Sequence, residues 1–456
     1  MDWTVRTTRV FELLLSIFVF SFLLTIFLAG ACTVPCSDDL YFYHLFLEKD
    51  FVGSMFGFSS NKRFSAHTFS NILFLLSGDF KVLLYTYPTF LLISFSASLL
   101  TIWYFLRHFF SDVIRTTVPA YRLFLLSSLI FVALYLNTTN PIEVWYWLSA
   151  HTSYFISITF LFLGSTLLLK SLSRISRYLA ILSFFILGGL AENIVLTAAI
   201  LLMLIIVGSY FLPSLRVYRR ALFQCLVALL VLPLAQLIDG GWLIKLESTQ
   251  RLPLDWSFSK KVTLAGSVKL IWLTFTILLF GSEVSKSIQL TPIIQRKIIV
   301  VTLSVLLIAI CFVYIPLICV FGGDFPSRSV FGFDLFFTGC LLTLSLLVVQ
   351  RLSWITRPIT SIILVSAAVV LTIAFSLRRI PDAVNYRAEY SLLIDEIRSS
   401  KIDSTENCIL LVDKLSDPGI IAGQNPSEYG SLDTNITSLY LAPLNGKRCL
   451  IFTRAH

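Results

Sequence analysis

Residues 11–44 read FELLLSIFVFSFLLTIFLAGACTVPCSDDLYFYH, and the order in which their chemistry changes decides the fold class. Between 11 and 31 the only charge is Glu12. A helix crossing a bilayer needs about 20 predominantly apolar residues, and this stretch supplies them. It is too long for the apolar core of a secretory leader, and Cys32-Thr33-Val34 is a poor small-residue cleavage site. The segment therefore reads as a retained first span. A polar break, Cys36-Ser37-Asp38-Asp39, follows at once, and then an apolar-rich run too short to span.

The rest of the chain agrees. It has 456 residues, 57% hydrophobic and 13% charged, with mean hydropathy +0.85. A soluble domain carries about 25% charged residues. That contrast excludes a soluble globular enzyme, and the hydrophobicity excludes disorder. The net charge of +9 does not point to nucleic acid, because its Lys and Arg sit beside apolar segments.

Eleven spans are expected, near 11–31, 83–106, 123–137, 153–169, 178–191, 193–212, 221–238, 268–283, 298–320, 335–350 and 359–376. The stretch 178–212 is too long for one crossing, since 35 residues of helix measure roughly 52 Å against a hydrocarbon core of about 30 Å. Gly188, Gly189, Glu192 and Asn193 mark the break. With the N-terminus cytoplasmic, inner segments then hold 16 Lys and Arg and outer loops 9, the positive-inside pattern. An unsplit helix would put Arg177 and Arg216 on opposite sides.

An odd number of spans leaves the C-terminus outside. The expected architecture is an all-α polytopic membrane protein. Residues 1–376 form its transmembrane domain, with interfacial helices in the outer loop 32–82. Residues 377–456 form a small extracytoplasmic α/β domain, with a helix started by Pro381 and strands at Cys408–Val412 and Cys449–Phe452. Cys32, Cys36, Cys408 and Cys449 all fall outside. Disulfides Cys32–Cys36 and Cys408–Cys449 suit an oxidising compartment, and four separate thiols are the other reading.

Asp38 and Asp39 are the strongest chemical signal. Adjacent carboxylates raise each other's proton affinity. They can serve as a general base or hold a divalent cation, Mg or Mn. The competing reading is an acidic turn that caps the next helix. Tyr41 and His44 follow directly. Residues 40–52 and 64–77 read as amphipathic helices lying in the interface. Between them Lys62 and Arg63 suit a phosphate, as does Arg328 in the Gly- and Pro-containing loop 322–328. His67 lies in the second of those helices. In the outer loop 140–151, most aromatic residues read as a membrane belt, with Trp147 and His151 kept as site candidates. Glu192-Asn193 interrupts apolar sequence, and an ionisable group at membrane depth points to function. The split places it toward the outer end, where it can share a cavity with Asp38 and Asp39.

The layout resembles the GT-C superfamily of polyprenyl-phosphate-sugar-dependent membrane glycosyltransferases, in particular its bacterial O-antigen glucosyltransferase-like and uncharacterised branches. The features that carry the likeness are a cytosolic N-terminus, one span, Asp38-Asp39 in the first outer loop, two interfacial helices, many spans and a small outer tail. The resemblance implies sugar transfer from a polyprenyl-phosphate-linked donor to an envelope glycan or lipid acceptor, such as lipopolysaccharide. The membrane would be the bacterial inner membrane, the reaction extracytoplasmic, and no nucleic acid would take part. Asp39 would deprotonate the acceptor, Asp38 would orient it or bind a metal, and Arg63 and Arg328 would hold the donor phosphate. No nucleotide-binding motif is present, and a lipid-phosphate donor needs none. The alternatives are an O-antigen polymerase- or ligase-like enzyme and a lipid-linked-sugar transporter or flippase.

Overall fold

The computed structural model describes residues 2–36, 38–56, 63–171, 173–211, 213–238, 258–285, 292–311, 330–351, 358–399, 409–413, 415–418, 421 and 450–453. Their helices are α1 (Asp2–Cys32), α2 (Asp38–Phe56), α3 (Phe64–Ser77), α4 (Phe80–His108), α5 (Ala120–Asn137), α6 (Ile156–Leu169) and α7 (Arg174–Gly188). They continue with α8 (Glu192–Phe211), α9 (Arg219–Ile238), α10 (Phe258–Ser285), α11 (Pro292–Ala309), α12 (Phe331–Arg351) and α13 (Pro358–Ser399). Two strands, β1 (Ile409–Val412) and β2 (Leu450–Thr453), pair in parallel with Ile409 opposite Leu450.

Among the described residues, eight helices are long and apolar enough to cross a membrane, and Trp272–Ser285 and Ile298–Ile308 are shorter apolar helices. The chain is thus a multi-pass helical membrane protein. The 178–212 stretch does divide: α7 stops at Gly188 and α8 starts at Glu192. Part of the ninth expected span, residues 312–320, lies outside the described residues.

Local sequence sets these boundaries. α1 ends where Thr33-Val34-Pro35 begins, and the Thr33 hydroxyl donates to the Gly30 carbonyl at 2.6 Å. Proline lacks the N–H that another helical turn would need. α2 bends at Asp50, whose φ of 63° breaks the helix. The Asp50 carboxylate then accepts the Gly53 N–H at 2.8 Å and caps the following turn. α3 closes at Gly78, where φ is 64° and the N–H returns to the Phe74 carbonyl. Only glycine takes that backbone without strain.

The chain forms two compact units. The first comprises residues 1–24, 96–141 and 154–374, the second residues 25–95, 142–153 and 375–456. The first unit is built on close helix crossings at small residues, the usual device inside membranes. A Cβ on Gly188 of α7 would lie 2.3 Å from the Leu229 carbonyl oxygen of α9. One on Gly281 of α10 would lie 2.8 Å from the backbone of Ser345 in α12. Arg122 of α5 pairs with Glu12 of α1 at 3.1 Å.

The second unit groups residues 25–95 with residues 375–456. Pro381 does not start a helix there; it lies inside α13. The reason is packing. Ala383, Tyr386, Tyr390, Leu393, Ile394 and Ile397 are all buried and recur at helical spacing. Continuing that face outweighs the one backbone hydrogen bond that Pro381 removes. The core of this unit is aromatic: Phe95 touches Phe27, Trp145 and Tyr146, and Tyr43 sits edge-on to Phe74 and Phe80.

Candidate functional site

Asp39 lies in the first turn of α2 and is fully buried. Its Oδ2 accepts the Cys36 N–H at 3.2 Å, and its own N–H returns to the Cys36 carbonyl at 3.0 Å. Its Oδ1 accepts the Ser149 N–H at 2.9 Å. One carboxylate therefore closes the turn into α2 and joins it to a second segment of the same unit. Asp38 begins α2, next to Asp39.

That second segment is irregular. A π-type turn at Ile142–Tyr146 leads through Trp147 to a short helical stretch, Leu148–Ala150, and a further π-type turn at His151–Phe155. Ser149 lies in the first turn of that short helical stretch, where backbone N–H groups lack an intrahelical partner, and its N–H meets Asp39. His151 is fully buried. Its Nδ1 donates to the Trp145 carbonyl at 2.9 Å, and its Nε2 accepts from the Ser94 hydroxyl on α4. Tyr87 of α4 donates to the Tyr146 carbonyl. The Thr152 hydroxyl meets Ser70 of α3 at 3.2 Å. Trp147 is half-buried and precedes Leu148–Ala150.

The aromatic run does not form a membrane belt. Trp145 and Tyr146 are both fully buried, because the π-turn directs them into the Phe95 cluster.

α3 packs on α2 with His67 against Phe42 and Phe74 edge-on to Tyr43, and Ala66, His67, Ser70, Leu73, Phe74 and Ser77 form its buried stripe. Asn71 ties the two together, donating to Ser54 at 2.7 Å and to the Phe51 carbonyl at 3.1 Å. His67 is buried with its ring against Phe42. Tyr41 also lies against Phe42. His44 points along its own helix to Glu48 at 3.2 Å. Arg63, half-buried, heads α3, and its carbonyl accepts the His67 N–H. Lys62 and Arg328 lie outside the described residues.

Burial raises the Tyr43 hydroxyl above the ordinary phenol range; Asp79 adds to this and Arg398 opposes it.

Glu192 and Asn193 belong to the first unit, where both are half-buried in the first turn of α8. The Asn193 carbonyl lies against Gly332 of α12, where a Cβ would come within 2.8 Å of it. In the same unit Asp334 is buried and accepts the Thr139 N–H at 2.8 Å and the Thr139 hydroxyl at 3.1 Å.

Cys32 and Cys36 stand as two separate buried thiols, not as the disulfide that was one expectation. The four-residue link Thr33–Cys36 is held by hydrogen bonds instead. Cys408 and Cys449 lie outside the described residues. Backbone N–H groups engage both Asp39 oxygens, and no cluster of three or more His, Cys, Asp or Glu occurs among the described residues.

Sequence reasoning missed Ser94, Ser149, Tyr87, Arg387 and Tyr390. Arg387 and Tyr390 carried a partial signal, since they lie three residues apart in a helix that was expected. Ser149 acts through its backbone N–H, which no side-chain pattern reveals. No protein-family model, curated protein or solved structure matches this chain.

Proposed function

We propose that this chain is a membrane glycosyltransferase of GT-C type that moves a sugar from a polyprenyl-phosphate donor to an envelope glycan or lipid acceptor on the extracytoplasmic face. The observation that carries the reading is the acidic pair at the head of α2, with Asp39 buried and fixed directly after the first long apolar helix. Two further features support it. α2 and α3 bear exposed apolar residues, Leu47, Val52, Ile72, Leu75 and Leu76, as helices lying in a membrane interface do. Arg63 stands at the N-terminus of α3, where backbone N–H groups favour an anion. The reading includes eleven crossings, a cytoplasmic N-terminus, a bacterial inner membrane and an outer α/β tail.

The two hydrogen bonds of Asp39 support a reading in which the roles of the carboxylates are exchanged. A fully buried group engaged by two backbone N–H donors is suited to hold the loop, so Asp39 orients. Asp38 takes the proton. In the reaction the acceptor hydroxyl oxygen forms a bond to the anomeric carbon as its proton passes to Asp38. The bond between that carbon and the phosphate oxygen breaks, and its electron pair leaves with the lipid phosphate. Arg63 meets the charge that develops there. Trp147, Tyr41, His44 and His67 line the approach of the substrates. No step requires a metal.

The test follows labelled sugar from polyprenyl phosphate into envelope glycans, in membranes containing equal amounts of wild type, Asp38→Asn and Asp39→Asn. Loss of about a hundredfold or more in Asp38→Asn supports the assignment. Wild-type transfer by both variants removes the acidic pair from the chemistry. No transfer by wild type from any polyprenyl-phosphate sugar favours the transporter.

A further inference from the structure

The link between α1 and α2 runs through residues 33–36, and the carbonyls of residues 31, 33 and 35 are all met by donors of α13. The Arg387 guanidinium of α13 donates to the Ala31 carbonyl at 2.6 Å and the Thr33 carbonyl at 3.2 Å. Its second nitrogen donates to the Leu84 carbonyl of α4 at 3.0 Å. One turn further along α13, the buried Tyr390 hydroxyl donates to the Pro35 carbonyl at 2.7 Å. Residues 31, 33 and 35 are thus satisfied in sequence from one helix face. The next group, the Cys36 N–H, goes to Asp39. The last carbonyls of α1 need outside donors in any case.

Only arginine presents several donors in a rigid planar fork. Three carbonyls, from α1, the link and α4, converge on that fork. With these three carbonyls held by one rigid group, the guanidinium sets where the link lies. The link in turn fixes where α2 begins.

We propose that Arg387 is a positioning residue for the acidic site: by gripping the Ala31, Thr33 and Leu84 carbonyls it fixes the link that carries Asp38 and Asp39. Its effect on sugar transfer rests on the function proposed above; its effect on the link does not. Tyr390 acts with it as the second donor. Two exposed ion pairs lie nearby on α13, Asp395 with Lys81 and Arg398 with Asp79. They belong to the surface and do not reach the link.

The experiment uses the full-length protein in membranes and N-ethylmaleimide, with labelling rates resolved by peptide. Cys36 reports the link, and Cys225, buried in the other unit, reports global unfolding. In Arg387→Ala, Cys36 is expected to label about tenfold faster or more, with Cys225 unchanged. Arg387→Lys should restore part of the protection, and Tyr390→Phe should give a smaller rise. Asp395→Asn should stay within about twofold of wild type. Sugar transfer by Arg387→Ala should fall in kcat, with the donor KM within about twofold. If Cys36 stays protected in Arg387→Ala, the inference is wrong, whatever happens to transfer. If Cys36 and Cys225 rise together, or lysine rescues nothing, Arg387 merely supports the fold and the inference is again overturned. If Cys36 alone is unmasked while wild type transfers no sugar, the positioning role stands and the proposed reaction falls.

Discussion

Replacing Asp39 by asparagine removes one oxygen and changes nothing in size, so its effect can be worked out from two hydrogen bonds. Oδ1 and Oδ2 accept from Ser149 N–H and Cys36 N–H at 2.9 and 3.2 Å. An amide has one acceptor oxygen and one NH2 donor. Whichever way it is turned, one backbone N–H must face another donor. The loss of a hydrogen bond to a charged group amounts to about 1.5–3 kcal/mol, and the orphaned buried N–H to about 1–3 kcal/mol more. Asp39→Asn is therefore expected to cost roughly 3–5 kcal/mol, a large part of a net stability of about 5–15 kcal/mol. Asp38→Asn loses a charge at a helix start, worth about 0.3–1 kcal/mol. Thermal melting of both variants in one detergent should separate them, with Asp39→Asn lower by on the order of 5 °C and Asp38→Asn close to wild type. A melting temperature for Asp39→Asn equal to that of wild type would refute the claim that the two N–H groups hold this carboxylate.

Other perturbations test other parts of the structure. Gly188→Ala would place a methyl against the Leu229 carbonyl, backbone that cannot rotate away, so α7 and α9 must part. The expected cost is about 1–3 kcal/mol or more, read as a lower melting temperature; an unchanged value contradicts the close crossing. Ser94→Ala takes the hydroxyl from His151 Nε2 in a fully buried site. It should cost about 1–3 kcal/mol in the same assay, and Ser94→Thr should recover part of it. Tyr43 has its hydroxyl raised by burial first and by Asp79 second. The folded state thus holds that proton more tightly than the unfolded chain. The associated stability is complete below the ordinary phenol value of about 10 and is lost as pH rises through the raised one. Tyr43→Phe should flatten the alkaline arm of a stability–pH curve, and an unchanged arm would place the titration elsewhere.

The helices were legible because apolar length and breaking residues are local properties. Pro35 ends α1, Gly78 ends α3, and the Gly188–Asn193 interruption separates α7 from α8. The Pro381 boundary failed for the opposite reason. Proline is a local signal, and the buried face from Ala383 to Ile397 overrode it through contacts with residues distant in sequence. The aromatic run failed in the same way: Trp145 and Tyr146 resemble a belt by composition, and a π-turn buries them.

The candidate site was half legible on the same principle. Two adjacent carboxylates after a span stand out in sequence, but their division of labour does not. It depends on which carboxylate meets two backbone N–H groups, and one of those groups comes from Ser149, 110 residues away from Asp39. Arg387 lies farther still, 356 residues from the Ala31 carbonyl it holds. Composition marks where charge can do chemistry, and only the returning chain shows that Asp39 is held by two backbone N–H groups. For this reason the comparison of Asp38 with Asp39 matters more than the loss of either alone. If Asp38→Asn abolishes transfer in a fully stable protein and Asp39→Asn loses transfer and stability together, catalysis and positioning are separated on neighbouring residues of one helix turn.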